Sequence, residues 1–219
     1  MNIFEVQLQT TNLEETKQFY HNKLGMDLMP SNGDELKLSA GLSTLVFTKA
    51  TNSHPFYHFA FNIPPNKFEE AFEWARTTIP LIPVNGSNPV ADFRSWDAKA
   101  FYFYDNNGNI VEFIARFELP ERSDKPFDGS SVVSISEIGL VGDSAKIYSE
   151  QLMADYGLSY FSRQAPADDF VALGDDNGLF IVVNDQRNWY PTQKKSEKHF
   201  ALVKAEINGK LYTVEMKGE

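Results

Sequence analysis

The sequence predicts an α+β protein: tandem βαβββ modules whose mixed sheets curve, with helices outside and the last module cut short. Three observations carry this expectation. A strictly alternating segment at 3–9 is followed at once by a capped helical pattern. The same pattern restarts 53–54 residues later. It begins a third time near 132 and a fourth near 199.

In the first module, residues 3–9 set Phe4, Val6 and Leu8 on one face and Glu5, Gln7 and Gln9 on the other, as in a half-buried strand. Asn12 is placed to cap a helix, with Glu15 as its capping-box partner. Leu13, Lys17, Tyr20 and Leu24 follow at helical spacing, and Gly25 ends the helix. A short strand near 26–29 and a pair at 35–39 and 44–48, turning at Ala40-Gly41, complete the unit.

The second module opens at 58–63, with Phe59, Phe61 and Ile63 on the apolar face. Asn66 is then the expected cap and Glu69 its partner, with Phe68, Phe72 and Ala75 on the helix. Glu5 and His58 are 53 residues apart; Asn12 and Asn66, Glu15 and Glu69, and Tyr20 and Trp74 are each 54 apart. A loop at 83–98 leads to a hairpin of 100–104 and 110–115 across Asp105-Asn106-Asn107-Gly108.

Residues 118–131, with two Pro, four acids and no periodicity, read as a linker between domains 1–117 and 132–219. A strand at 132–141 and a helix at 144–156 follow, with Gly157 in the place of Gly25. Strands at 170–173 and 179–183 then flank Asp175-Asp176-Asn177-Gly178. The fourth start, at His199, turns at Asn208-Gly209 into 210–217 and leaves no room for a helix.

Composition excludes several function classes. The 219 residues carry 20 Lys+Arg against 30 Asp+Glu, a net charge of −10 spread as −4 over 1–117 and −6 over 118–219. Such a surface repels phosphate backbones and anionic lipid, so no nucleic-acid or membrane partner is expected. No apolar run reaches the ~20 residues of a membrane helix, and the start lacks a basic region and signal core, so a cytoplasmic protein is expected. The absence of cysteine excludes disulfides, thiolate metal sites and a Cys nucleophile. Any metal must be held by Asp, Glu or one of four His.

If two modules pair edge to edge, their sheets form a cup lined by the polar faces of the first strands. Glu5 and His58 hold the same place in modules one and two, and pseudo-symmetry would bring them together at its floor. In the closing strand Ile110, Glu112 and Ile114 share a face, so Glu112 points where His58 points. One imidazole and two carboxylates, Glu5 and Glu112, make a candidate divalent metal triad with open positions.

The run from Asn12 through Phe19-Tyr20 to Leu24-Gly25, and the run 101–113 with its Asp-x-x-Gly-Asn-x-x-Glu pattern, resemble the vicinal oxygen chelate superfamily. This is the group of glyoxalases, fosfomycin- and bleomycin-resistance proteins and ring-cleaving dioxygenases. The resemblance spans 1–117 and, more loosely, 132–219. It implies a glyoxalase-like fold and metal ligands at Glu5, His58 and Glu112, where the family commonly has His or Gln in place of Glu5. It implies a metal acting as a Lewis acid on neighbouring substrate oxygens, with Glu5 a ligand or general base and Glu112 in the catalytic set. Two carboxylates and one His suit Mn, Zn, Ni or Mg, whereas oxygen chemistry favours iron on two His and one carboxylate. Tyr102 and Tyr104 share a face and are candidate substrate contacts. Arg94 and Trp96 lie in the loop expected to rim the cup.

Glu137 matches Glu5 when Gly157 is laid on Gly25, and His199 matches His58. A two-residue turn at Asn208-Gly209, however, sets Glu215 across from Leu202, so no second complete site is expected. Residues 132–219 then pack, dimerise or cover the first cup, and a homodimer is one expected assembly. The leading functional expectation is a metal-dependent isomerase, lyase or thiol-transferase acting on a small oxygen-rich molecule. Its rivals are a ring-cleaving dioxygenase and a non-catalytic binder of the bleomycin-resistance type.

Overall fold

A computed structural model describes residues 1–51 and 53–218. The first module is β1 (Asn2–Thr10), the helical segment α1 (Leu13–Lys17), continued by a π-helical turn at Gln18–Lys23, then β2 (Glu35–Ala40) and β3 (Ser43–Lys49). Asn12 caps α1 by accepting from the amides of Glu14 and Glu15, and its own amide donates to Glu15 Oε1 at 2.9 Å. Gly25 closes the segment at φ +81°. The strand expected near 26–29 is a single bridge, Leu28 to Leu38.

Module two is β4 (His58–Asn62), α2 (Phe68–Thr78), β5 (Leu81–Ile82), β6 (Val90–Phe93), β7 (Ala98–Tyr104) and β8 (Ile110–Arg116). The segment 83–98 is thus not a plain loop: β6 pairs with β7 inside it. Asn66 does not cap α2. A 3-10 turn at Pro65–Lys67 precedes that helix, and Asn66 instead exchanges two hydrogen bonds with the backbone of Ser123.

Module three is β9 (Ser134–Gly142), α3 (Ala145–Tyr156), β10 (Phe170–Asp175) and β11 (Gly178–Asn184); Ser144 caps α3 and Gly157 ends it. The last half-module is β12 (Ala201–Ile207) and β13 (Lys210–Met216), with no helix. Asn208 and Gly209 both have positive φ and form the two-residue turn, setting Leu202 across from Glu215.

Module pairing differs from the expected pattern of one with two. One sheet runs β13-β12-β1-β3-β2 and joins module one to the half-module; the other runs β10-β11-β9-β4-β8-β7-β5 and joins module two to module three. Each sheet therefore draws strands from both sides of 118–131, the expected domain boundary. That segment is not a free linker, since Leu119 and Phe127 are buried and Asp128 caps a 3-10 turn at Gly129–Ser131.

One apolar cluster spans both sheets, including Val6, Leu8, Leu45 and Phe47 of one and Phe59, Phe61, Phe101 and Phe113 of the other, and a second, with Ala60, Ile110, Ile114 and Trp189, lies on the other face of the larger sheet. Ser43 joins the sheets directly: its hydroxyl donates to Ile3 O and accepts from Ile135 N. No described helix is long and apolar enough to cross a membrane.

A bulge shapes the start of both first strands. Opposite β12 the register of β1 shifts between Ile3 and Glu5, and opposite β4 that of β9 shifts between Ile135 and Glu137. The extra residues are Phe4 and Ser136. Phe4 is therefore turned off the buried face on which strict alternation places it, and Ile3 is buried instead.

Candidate metal centre

The site is assembled on the central strands of the larger sheet, β9-β4-β8-β7. Ala60 of β4 lies opposite Glu112 of β8 on one side and Glu137 of β9 on the other, and Glu112 lies opposite Tyr102 of β7. This puts Tyr102, Glu112, Ala60 and Glu137 in one row. The methyl group of Ala60 leaves the space between the carboxylates open, and His58 stands two residues along β4 on the same face. One ligating atom from each of His58, Glu112 and Glu137 lies within 4.8 Å of the others, and all three residues are buried.

Asp105 and Asn109 of the closing-strand motif set this register from outside the site, while its last residue, Glu112, stands within it. Buried Asp105 accepts from the Tyr20 hydroxyl at 2.7 Å, the Asn109 side-chain amide at 2.7 Å and the backbone amides of Asn107 and Asn109. Asn109 Oδ1 in turn accepts from the Tyr57 amide at 2.7 Å, and Ile110 N donates to Tyr57 O. The start of β4 is thereby locked to β8.

His58 is oriented by its backbone partner. Its Nδ1 lies 3.0 Å from the Ile110 carbonyl, which can only accept, so Nδ1 carries the hydrogen and Nε2 presents a lone pair. Nε2 is 3.7 Å from Glu112 Oε2. Burial lowers the His58 pKa to about 4, against a smaller raising effect of the Ile110 carbonyl. The imidazole is therefore neutral at pH 7, the form that ligates metals.

Burial pushes the Glu112 pKa well up, and the charge of Glu137 adds to this; Tyr102 and Arg116 pull it partly down. Burial also raises the Glu137 pKa, and Arg116 opposes that.

Arg116 ends β8 on the same face as Glu112 and is fully buried. Its Nη2 donates to Glu137 Oε1 and its Nε to Ser136 Oγ at 3.2 Å. The guanidinium also lies 5.3 Å from the Trp96 ring centroid and 5.8 Å from that of Phe161. Its Nη1 also lies 3.7 Å from Asp176 Oδ1, so the single positive charge of Arg116 is shared between Glu137 and Asp176.

The donor set fits a divalent cation. A neutral imidazole lone pair faces the Glu112 carboxyl, the Glu137 carboxyl stands beside both, and a bound cation would stabilise the ionised form of the two acids that burial disfavours. His58, Glu112 and Glu137 would hold the ion. The Nδ1–H to carbonyl bond is the outer-shell contact that fixes a ligating histidine.

Above the triad is a cavity of about 310 Å³ with walls of Phe93, Trp96, Tyr102, Phe170, Trp189 and Tyr190. Trp189 lies 5.1 Å from the His58 ring. Trp96 Nε1 donates to Gln164 Oε1 at 3.1 Å.

A Cβ added at Gly139 would collide with the Trp189 indole. Gly139→Ala is expected to push that ring off His58 and cost about 1–3 kcal/mol. Urea denaturation and the near-ultraviolet dichroism of the tryptophans check this; unchanged traces would contradict it.

Several expected site residues are placed elsewhere. Glu5 is on the other sheet, and its carboxylate pairs with Lys204 Nζ at 2.7 Å. Lys204 stands opposite Glu5 as Ala60 stands opposite Glu137, so an ammonium group fills the corresponding place in the smaller sheet. The same register makes Leu202, not His199, the counterpart of His58: Val203 faces Val6 as Phe59 faces Ile138. His199 packs beside Phe56 and Tyr57.

Arg94 is 90% exposed and pairs with Asp92, away from the cavity. The cation that does line the cavity is Arg187, held by Asp169 at 3.0 Å. Trp96 and Tyr102 line the cavity, whereas Tyr104 is exposed at the strand end and does not. Sequence reasoning placed neither Glu137 nor Arg116 in the site. The signals available were the Glu5-like position of Glu137 and the i, i+4 spacing of Glu112 and Arg116 along one strand face.

No family model matches the chain, nor does any curated protein. Among solved structures, a putative dioxygenase from Bacillus subtilis is 15% identical and superposes with a TM-score of 0.60 over 84% of this chain. The match covers 63% of that protein, so the chain spans less than two thirds of its length. A glyoxalase/bleomycin resistance protein/dioxygenase from Alicyclobacillus acidocaldarius is 19% identical over 53% of this chain and 92% of its own, TM-score 0.41. The fosfomycin resistance protein FosX from Listeria monocytogenes, solved with Mn(II), is 17% identical over 52% and 87%, TM-score 0.39. Over 84% of its length the chain therefore shares the fold of that putative dioxygenase.

Proposed function

We propose that the chain is a divalent-metal-dependent enzyme acting on a small oxygen-rich substrate, by isomerase, lyase or thiol-transfer chemistry. The observation that carries this reading is the convergence of His58 Nε2 with the carboxylates of Glu112 and Glu137 at the floor of an aromatic-walled cavity. A bound divalent ion would act there as a Lewis acid toward two neighbouring substrate oxygens.

The chain's own residues prepare the place. Ile110 O fixes the ligating face of His58, and Arg116 holds Glu137 in position beside Ser136. Trp189, Tyr190, Phe93 and Trp96 wall the site with aromatic surface, and the low dielectric of such walls strengthens charge interactions beside them. The Tyr102 hydroxyl lies against Glu112, placed to donate to a substrate oxygen or to orient that carboxylate.

A ring-cleaving dioxygenase is the second reading, favoured by the aromatic walls, which suit a flat ring. A donor set with one His and two carboxylates counts against it.

Elemental analysis of the purified protein, with Mn, Ni and Zn titrations, tests both. Stoichiometric metal that is lost in His58→Ala is the expected result, and iron in that place would select the dioxygenase. No metal as purified and no binding on titration would overturn both readings and leave a non-catalytic small-molecule binder.

A further inference from the structure

A second cavity, of about 210 Å³, opens at the other end of β4 from His58, beside the starts of β1 and β9. Asn62 and Glu121 line it together with the apolar side chains of Ile3, Phe4, Leu42 and Leu119. Asn62 is four positions along β4 from His58, about 13 Å in an extended strand.

Asn62 is 1% exposed. Its Nδ2 donates to Ser134 Oγ at 3.2 Å, but its Oδ1 meets no donor. Glu121 Oε2 is likewise shielded from solvent without a donor. Among the ion pairs of the described residues, none uses the Glu121 carboxylate, and Arg122 reaches only its backbone carbonyl.

A buried acceptor left unpaired costs about 1–3 kcal/mol, and more when charged. Two of them lining one cavity, one anionic and neither opposed by a donor, define what is missing: a positively charged group with several N–H donors. The remaining lining is apolar at Ile3, Phe4, Leu42, Leu119 and Val133 and polar but uncharged at Asn2, Ser134 and Asn177. An anion is excluded by Glu121, and a bare divalent ion would find too few oxygens. The volume lies below the ~300 Å³ at which drug-sized ligand sites begin, so the apolar part of the ligand is short.

We propose that this cavity binds a small organic cation, a primary ammonium group on a short aliphatic stem. The ammonium meets Asn62 Oδ1 and the Glu121 carboxylate, and the stem packs on Phe4, Leu42 and Leu119. The proposal does not depend on metal binding at His58.

Titration of the isotope-labelled full-length protein with n-butylamine, followed by amide chemical shifts, tests it. Saturable shifts at Phe4, Asn62, Leu119 and Ser134 are expected below about 10 mM, within reach of so small a ligand. The neutral isostere n-butanol is expected to bind at least about 10-fold more weakly, and Glu121→Gln to weaken n-butylamine by a similar factor. Should Glu121→Gln lose its native spectrum, Leu42→Trp, at an exposed position on the rim, is expected to block binding in its place.

Absence of saturable shifts would mean that water or the two side chains themselves satisfy the acceptors, and would overturn the proposal. So would shifts confined to Tyr102 and Trp189, equal binding of n-butanol, or undiminished binding in both variants.

Discussion

Glu137→Ala is expected to abolish stoichiometric metal binding, whereas Glu5→Ala is expected to leave it unchanged. The two residues hold equivalent places after equivalent bulges, at the starts of β1 and β9. They differ in what lies opposite. Glu137 faces Ala60, whose small side chain leaves room beside His58 and Glu112. Glu5 faces Lys204, whose ammonium already takes the place a cation would fill.

Loss of one of three protein ligands should lower affinity by more than the 10–100-fold that outer-shell partners carry. Titration calorimetry with Mn or Zn on the two variants measures the difference. Equal loss in both, or loss only in Glu5→Ala, would contradict the assignment.

Arg116→Met is expected to destabilise the fold by about 3–5 kcal/mol, the cost of leaving a buried ion pair without one partner. Arg116 is 1% exposed and Glu137 3% exposed, so neither charge has solvent to fall back on. Without the guanidinium, Glu112 and Glu137 face each other as two carboxyl groups in an apolar place, and the ring faces of Trp96 and Phe161 lose their cation.

The double variant Arg116→Met/Glu137→Met removes both charges and is expected to recover most of the stability while binding no metal. Urea denaturation of the single and double variants separates the two effects. A single variant as stable as the parent, or a double variant no better than the single, would sink this account of Arg116.

The repeat was legible in the sequence because it rests on local chemistry. Asn12 caps, Gly25 and Gly157 close, and Asn208-Gly209 turns, each through contacts within a few residues. His58 and Glu112 were legible for the same reason, since one strand start and one strand face locate them.

Which modules pair was not legible, because strand partners are chosen by long-range packing that no local pattern encodes. Glu137 could be recognised as the counterpart of Glu5, yet only the antiparallel pairing of β4 with β9 says which of the two meets His58. The cap expected at Asn66 failed in a similar way: a 3-10 turn displaced the helix start, and the side chain was taken up by Ser123. Arg94 and Arg187 show the limit at the cavity rim. Both are arginines on irregular segments, and only the path of the chain after β11 decides that Arg187 lines the cavity.

The most direct test of the site is a crystal structure of the Mn(II)-soaked protein with anomalous data collected at the Mn edge. The account predicts one strong peak within coordination distance of His58 Nε2, Glu112 and Glu137. A peak beside Glu5 instead, or none in a well-diffracting soaked crystal, would contradict it.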